Sequence, residues 1–476
     1  MKKICIFLVS LLIGVFLFPS CEDQDDNAVP VSDFVYKGLN LYYLWKGQVP
    51  VLADNRFGNQ GELNNFLKGF SSPESLFNSL LYQRGVVDKW SVIFSDYRVL
   101  ENALQGVSTS NGVEFGLRLK PGSETDVFGY VRYILPGTDA ATEDIERGDL
   151  FYAVNGTPLT VSNYQSLLSS TTYTLNLADY NGGNITPNGR SVTLTRAEYA
   201  ENPVYFSNTY TVDGQTFGYL MYNGFFSGYN GELNAAFGQM KSQNVTDLVL
   251  DLRYNGGGSV RTATYLASMI TGQFNGQIFA KQQYNSRLQA FYESNNPAAL
   301  QELFTSQLQG GEAINSLNLN RVYILTTRST ASASELIINC LKPYIDVVVI
   351  GDTTTGKNVG SVTLYDSDNF GRNNTESFYA MQPIVVRTLN KNNFGDYSQG
   401  IEPTVALPED MGNLGEIGST TEPLFAKAIS LITGSGRRAP RQPEKTFRHL
   451  DDSRNLRRFG SEMYIEALPD AAGLNP

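Results

Sequence analysis

Val322-Tyr323-Ile324-Leu325-Thr326, Ser332-Ala333-Ser334-Glu335-Leu336-Ile337-Ile338-Asn339-Cys340-Leu341 and Val347-Val348-Val349-Ile350-Gly351 follow one another in close succession. The outer stretches are short apolar runs without polar alternation, which is how buried strands read. The middle stretch opens with small polar residues and becomes apolar, which predicts a helix starting at Ser332. Strand, helix and strand with short joins predict an α/β layer structure. Working outward, Phe217–Tyr222 reads as a strand, Glu232–Met240 as a helix, Val245–Leu252 as a buried strand and Val260–Ile270 as a helix. The alternation defines a core domain over residues 201–434.

The rest of the 476 residues allows two to four domains in all. Over residues 109–200 short alternating strands, Phe115–Leu119 and Gly129–Ile134 among them, are separated by Gly and Pro turns and closed by Ser191–Thr195. Residues 33–108 have helical spacing. Phe34, Leu39, Leu41, Leu44 and Trp45 form one set, Leu63, Phe66, Leu67 and Phe70 a second, and Ser72-Pro73-Glu74-Ser75 opens a third helix. This stretch is expected to be a small helical domain. Residues 435–476 are polar and rich in arginine, and are expected to be a solvated tail.

At the N-terminus, Lys2 and Lys3 precede the apolar run Ile4–Phe18 and then Pro19-Ser20-Cys21. Residues 1–20 have the regions of a secretory signal peptide, and the run is short for a membrane span. Cys21 stands where a bacterial lipoprotein signal places its lipidated cysteine, with an acidic stretch, Glu22–Asp26, inside the linker 21–32. A lipid-anchored protein of the cell envelope, on a periplasmic or outer-surface face, is therefore expected. With Cys5 in the signal and Cys21 lipidated, Cys340 alone is left, so no intramolecular disulfide is expected. The net charge of −11 argues against nucleic acid as a partner. Too few Cys and His residues are present for a zinc site, and no metal or organic cofactor is expected.

Two stretches carry chemistry. Ser332, at a predicted strand-to-helix junction, would aim its hydroxyl outward beside the backbone N–H groups of a helix start, where an oxyanion is stabilised. A serine nucleophile needs a base, and the sole histidine, His449, lies in the tail. Lys357, in Gly356-Lys357 just after the apolar strand Val347–Ile350, is the candidate base, because a lysine near an apolar core loses solvation and its pKa falls. Asp251-Leu252-Arg253-Tyr254-Asn255-Gly256-Gly257-Gly258 ends another buried strand. Its glycines free the backbone to contribute to an oxyanion hole. No Gly-Lys-Ser/Thr follows, so it is not a phosphate loop.

Together these motifs resemble the C-terminal processing peptidases, or tail-specific proteases, of the serine-lysine type. The family has an Asp-Leu-Arg-x-Asn-x-Gly-Gly strand end, a Thr-Ala-Ser-Ala-Ser-Glu nucleophile turn (here Thr330–Glu335) and a lysine 25 positions after the serine, the separation of Ser332 and Lys357. The resemblance implies a crotonase/ClpP-like α/β core, with Ser332 as nucleophile and Lys357 as general base. It implies an oxyanion hole from Ala333 N–H with Gly256 or Gly257, and a supporting role for Glu335. Residues 115–196 look like the family's PDZ-like domain, with Pro136–Ala140 and Gly148-Asp149 in place. Glu114, Phe115, Gly116 and Leu117 resemble the loop that takes a substrate's terminal carboxylate. Tyr42-Tyr43-Leu44-Trp45 resembles the N-terminal domain of lipoprotein members.

The implied activity is a serine endopeptidase that hydrolyses unfolded or C-terminally tagged polypeptides through a Ser-Lys dyad and an acyl-enzyme, with apolar C-termini as partners. One departure stands out. Many members place a glutamine four residues after the lysine to orient it, and this chain has Ser361 there. Ser361 is one substitute by hydrogen bonding and an Asp from elsewhere in the chain is the other, so the third catalytic member is unassigned. A catalytically weak or inactive surface lipoprotein that binds peptide C-termini through the PDZ-like domain is the alternative.

Overall fold

The computed structural model describes residues 29–435, 447–457, 459–468 and 474. The signal peptide, Cys21 and Glu22–Asp26 lie outside the described residues. A six-stranded sheet forms the core in the order Val204–Val212, Gln215–Tyr222, Asp247–Asp251, Arg321–Thr326, Asp346–Gly351 and Val405–Ala406. The first pair is antiparallel and every later pair parallel.

Successive side chains on these strands point to opposite faces, and both faces are covered. Leu250, Ile324 and Val349 pack with Leu266, Leu336 and Ile337 of the helices Val260–Thr271 and Ala333–Leu341. Val249, Leu325 and Ile350 pack on the other face beneath Phe425 and Ile429 of the helix Pro423–Ile432. Two covered faces leave no polar side to the strands, which is why their sequences lack alternation. Parallel pairing brings Asp251, Thr326 and Gly351 to one edge of the sheet. The crevice outside such carboxyl ends is where open α/β sheets bind ligands.

A second sheet runs in the order Gly258–Ser259, Met463–Tyr464, Val359–Ser361, Ile384–Leu389, Ile278–Gln283 and Gln301–Leu303. The β-rich module between residues 109 and 200 is a third. Its strands run His449–Asp452, Val113–Leu119, Val127–Ile134, Leu150–Val154, Thr172–Asn181 and Asn184–Thr195. The long hairpin that ends it turns at Gly182 and Gly183, both at positive φ (56° and 95°), a conformation glycine adopts without steric cost.

Two expectations need correcting. The first helix spans Pro30–Tyr42, so it begins inside the presumed linker 21–32, and Pro30 occupies the first turn, where its missing N–H costs nothing. This helix, with Gln60–Leu67 and Pro73–Ser79, does not build a core of its own. Phe34, Leu39 and Leu76 share one apolar cluster with Leu250 and Leu336 of the core. The second correction concerns the tail. Residues 447–457 and 459–468 dock on the module and the core instead of extending into solvent. Arg454 pairs with Glu201 at 3.0 Å, and Arg457 pairs with buried Glu114. The arginines meet buried carboxylates, which is why a composition suggesting solvation is folded here. Among the described residues no helix is long and apolar enough to cross a membrane.

Candidate active site

Three strand ends are tied together at the crevice by Asn255. Its Nδ2 donates to Tyr222 O at 2.8 Å, its Oδ1 accepts from Gly257 N at 2.8 Å, and its carbonyl accepts from Ala331 N at 3.0 Å. Thr330 Oγ1 adds a bond to Leu252 O at 2.8 Å. Held at these points, the turn after the strand Arg321–Thr326 places Ser332 at φ 65°, ψ −117° as the residue before the helix Ala333–Leu341. A non-glycine residue in that region is strained by about 1–3 kcal/mol and persists only where its surroundings over-determine it.

The strain has a purpose that helix capping does not explain. Ser332 Oγ is buried and has no hydrogen-bond partner among the described residues. The serine reads as a cap by position, yet its hydroxyl is left free at the N-terminus of a helix, where the dipole and the Ala333 N–H favour negative charge.

Glu335 sets the backbone around it. Its carboxylate accepts from Ser332 N at 2.8 Å, Gly356 N at 2.6 Å, Lys357 N at 2.8 Å and Thr354 Oγ1 at 2.5 Å. One buried side chain thus fixes the main chain of both Ser332 and Lys357. Burial raises the Glu335 pKa, and these four donors oppose the rise.

Lys357 is fully buried, and burial is the first cause of its lowered pKa. Its Nζ donates to Ser461 O at 2.7 Å and to Glu462 Oε2 at 2.8 Å, and lies 5.4 Å from the centre of the Trp90 ring. Burial pushes Glu462 up to about 7 against the pull of Lys357. Ser361 Oγ donates to Met463 O at 3.2 Å, so this hydroxyl contacts the C-terminal segment. Of the glycines assigned to an oxyanion hole, Gly257 has its N–H taken by Asn255. Its absent side chain matters more. At φ 108° a Cβ on Gly257 would stand 2.2 Å from Glu462 O, 2.6 Å from Ser332 Cβ and 2.9 Å from Ala333 N. A Cβ on Gly256 would stand 2.4 Å from the carbonyl oxygen of Gly460.

Residues 216–406 match the model of peptidase family S41, and residues 31–92 match that of the peptidase S41 N-terminal domain. The chain belongs to peptidase family S41. It is a serine-type peptidase. A carboxyl-terminal-processing protease of Picosynechococcus is 25% identical over 334 residues, covering 69% of this chain and 72% of that protein. A chloroplastic C-terminal processing peptidase of Tetradesmus obliquus is 26% identical over 325 residues, 66% of this chain and 64% of the relative. The crystal structure of an S41 protease from Bacteroides fragilis superposes with a TM-score of 0.64 at 26% identity, covering 84% of this chain and 97% of that one.

In this peptidase the stretch Glu114–Leu117 lies on the strand Val113–Leu119, the outermost strand of the module's own residues, far from Ser332 in sequence. Phe115 and Leu117 point into the module's core, while Glu114 is buried against Ser453 Oγ at 2.7 Å. That edge is already paired with His449–Asp452. Sequence reasoning missed Trp90, Asn255 and Glu462. Asn255 was visible inside its motif. Trp90 and Glu462 are far from Ser332 along the chain and no local pattern marks them. Cys340 is buried, and burial pushes its thiol up. Among the described residues no cluster of His, Cys, Asp or Glu is placed to hold a metal ion.

Proposed function

We propose that this peptidase is an endopeptidase acting on unfolded or flexible polypeptides through a Ser332–Lys357 dyad. The observation that carries the reading is the buried Ser332 hydroxyl, strained, unpartnered and pinned through Glu335 to the main chain of a buried lysine. Neutral Lys357 takes the Ser332 Oγ proton as that oxygen attacks the scissile carbonyl. Ala333 N–H faces the oxygen that becomes negative, with a glycine of the Gly256–Gly257 pair as second donor once Asn255 releases it. The C–N bond breaks as Lys357 gives its proton to the leaving amine, and an ester on Ser332 remains. Water, deprotonated by Lys357, then hydrolyses the ester and restores the serine.

In this reading the β-rich module is PDZ-like, and its edge strand Val113–Leu119 receives a polypeptide by strand pairing. The signal and Cys21 support a lipid-anchored protein of the cell envelope. Replacing Cys21 with Ala is expected to shift it from the membrane to the soluble fraction.

The test is incubation with a flexible protein ending in apolar residues, followed by mass spectrometry of the fragments. Hydrolysis is expected from the parent and a loss of about 10⁴-fold or more from Ser332→Ala. Cleavage that survives Ser332→Ala removes the mechanism. Tail peptides that bind while no variant cleaves would leave a binding protein.

A further inference from the structure

The C-terminal segment touches both places where this mechanism needs a substrate. At the module, His449–Asp452 pairs antiparallel with Val113–Leu119, Asp452 opposite Gly116 and His449 opposite Arg118. Asp452 also forms a buried ion pair with Arg132 at 2.5 Å. At the crevice, Met463–Tyr464 is inserted as a strand between Gly258–Ser259 and Val359–Ser361. Ile465 N donates to Ser361 O at 3.0 Å, and Glu466 accepts from Ser259 Oγ at 2.6 Å. Between these two strands the chain lays the Glu462 carbonyl against the open side of Gly257, on the point shared by Ser332 Cβ and Ala333 N.

We propose that residues 447–457 and 459–468 form a tethered inhibitor, docked through the strands His449–Asp452 and Met463–Tyr464 on the module edge and across Ser332, with the Glu462 carboxylate holding the Lys357 amine. The inference rests on the hydrolytic reading of Ser332. Strand pairing accounts for the register, since main-chain bonds recognise any extended peptide. It does not account for Glu462. An ammonium group bound by a carboxylate and a carbonyl has no lone pair to accept a proton, so the enzyme in this state is off. The same contacts fill the path a substrate would take, so tail and substrate compete for one site.

Two variants separate the tail's docking from its charge. Tyr464→Pro removes a strand N–H next to both neighbouring strands without touching Lys357, and Glu462→Ala removes the carboxylate. Each full-length variant is expected to hydrolyse a fluorogenic flexible peptide faster than the parent, on the order of tenfold or more, as the docked population falls. A synthetic peptide of residues 459–468 added to Tyr464→Pro should restore the inhibition. Labelling of Ser332 by a fluorophosphonate, read by intact mass, is expected to accelerate in parallel.

The outcomes are distinguishable. Variants that label and cleave no faster than the parent overturn the inhibitor. Faster labelling without any peptide cleavage keeps the inhibitor and overturns the endopeptidase reading. No labelling of any form overturns both. Inhibition of the parent that strengthens with protein concentration assigns the segment to a neighbouring copy and overturns the tethered form.

Discussion

In the Tyr464→Pro background, Lys357→Met is expected to lower kcat by about 10⁴-fold or more, with KM for a flexible peptide changing far less. Methionine keeps the apolar stem and the contact with Trp90, so the packing survives and only the proton carrier is lost. The pH dependence tests the same assignment from the other side. Burial holds Lys357 below its usual 10.5, while Glu462, Asp88 and Glu335 oppose this by favouring the charged form. A base must be unprotonated, so kcat/KM is expected to rise with pH and to be lost as pH falls through the lysine's pKa. Releasing Glu462 removes the largest of the opposing charges. The rising limb should therefore lie at lower pH in Glu462→Ala and in Tyr464→Pro than in the parent, where the docked carboxylate favours the charged lysine. A profile of kcat/KM against pH on the parent and the two variants checks this. A Lys357→Met enzyme that still cleaves would remove lysine from the mechanism.

The second large effect is on stability. Arg253 is fully buried and its guanidinium meets Asp251 at 2.6 Å, Glu422 at 2.8 Å and Glu409 at 3.1 Å. Asp251 also accepts from Tyr219 Oη at 2.6 Å, and Glu422 Oε2 caps the helix Pro423–Ile432 through Phe425 N at 2.8 Å. Arg253→Met is expected to cost about 3–5 kcal/mol, because it leaves buried carboxylates without their cation. Urea unfolding should show a lower midpoint at unchanged slope. Burial pushes Glu409 up, yet Arg147 and Arg253 together hold it at about 2, against an ordinary 4.5. A depressed carboxyl contributes stability that is present above 4.5 and lost as pH falls through about 2. With Arg253 gone, only Arg147, the Tyr254 hydroxyl and Arg132 are left to oppose burial, and acid unfolding should begin at higher pH. An unchanged acid midpoint in Arg253→Met would show that the pair does not set it.

Much of the core was legible because its signals are local. Apolar runs without alternation mark strands that helices cover on both faces, and the strand ends carry the Asn255 and Ser332 turns within a few residues. The module's long hairpin was partly missed. Its turn, Asn181-Gly182-Gly183-Asn184, follows a run of alternating Thr, Tyr and Leu from Thr172 that carries the period-two signal. Helix spacing over residues 33–108 shows which face of each helix is apolar but not what that face packs against, which here is the core.

From the sequence alone come the mixed α/β class, the serine at a strand-to-helix junction and the lysine just after the next apolar strand. Each depends on residue type at short spacing, where backbone geometry dictates position. The tertiary structure alone decided that the Ser332 hydroxyl is free of the cap, that Glu335 binds both main chains, and that an arginine-rich tail folds back onto Lys357. Those facts join residues separated by tens to hundreds of positions. They turn on which buried charge finds a partner, and composition cannot specify that: the same arginines and glutamates that solvate an open chain can neutralise one another in a closed one.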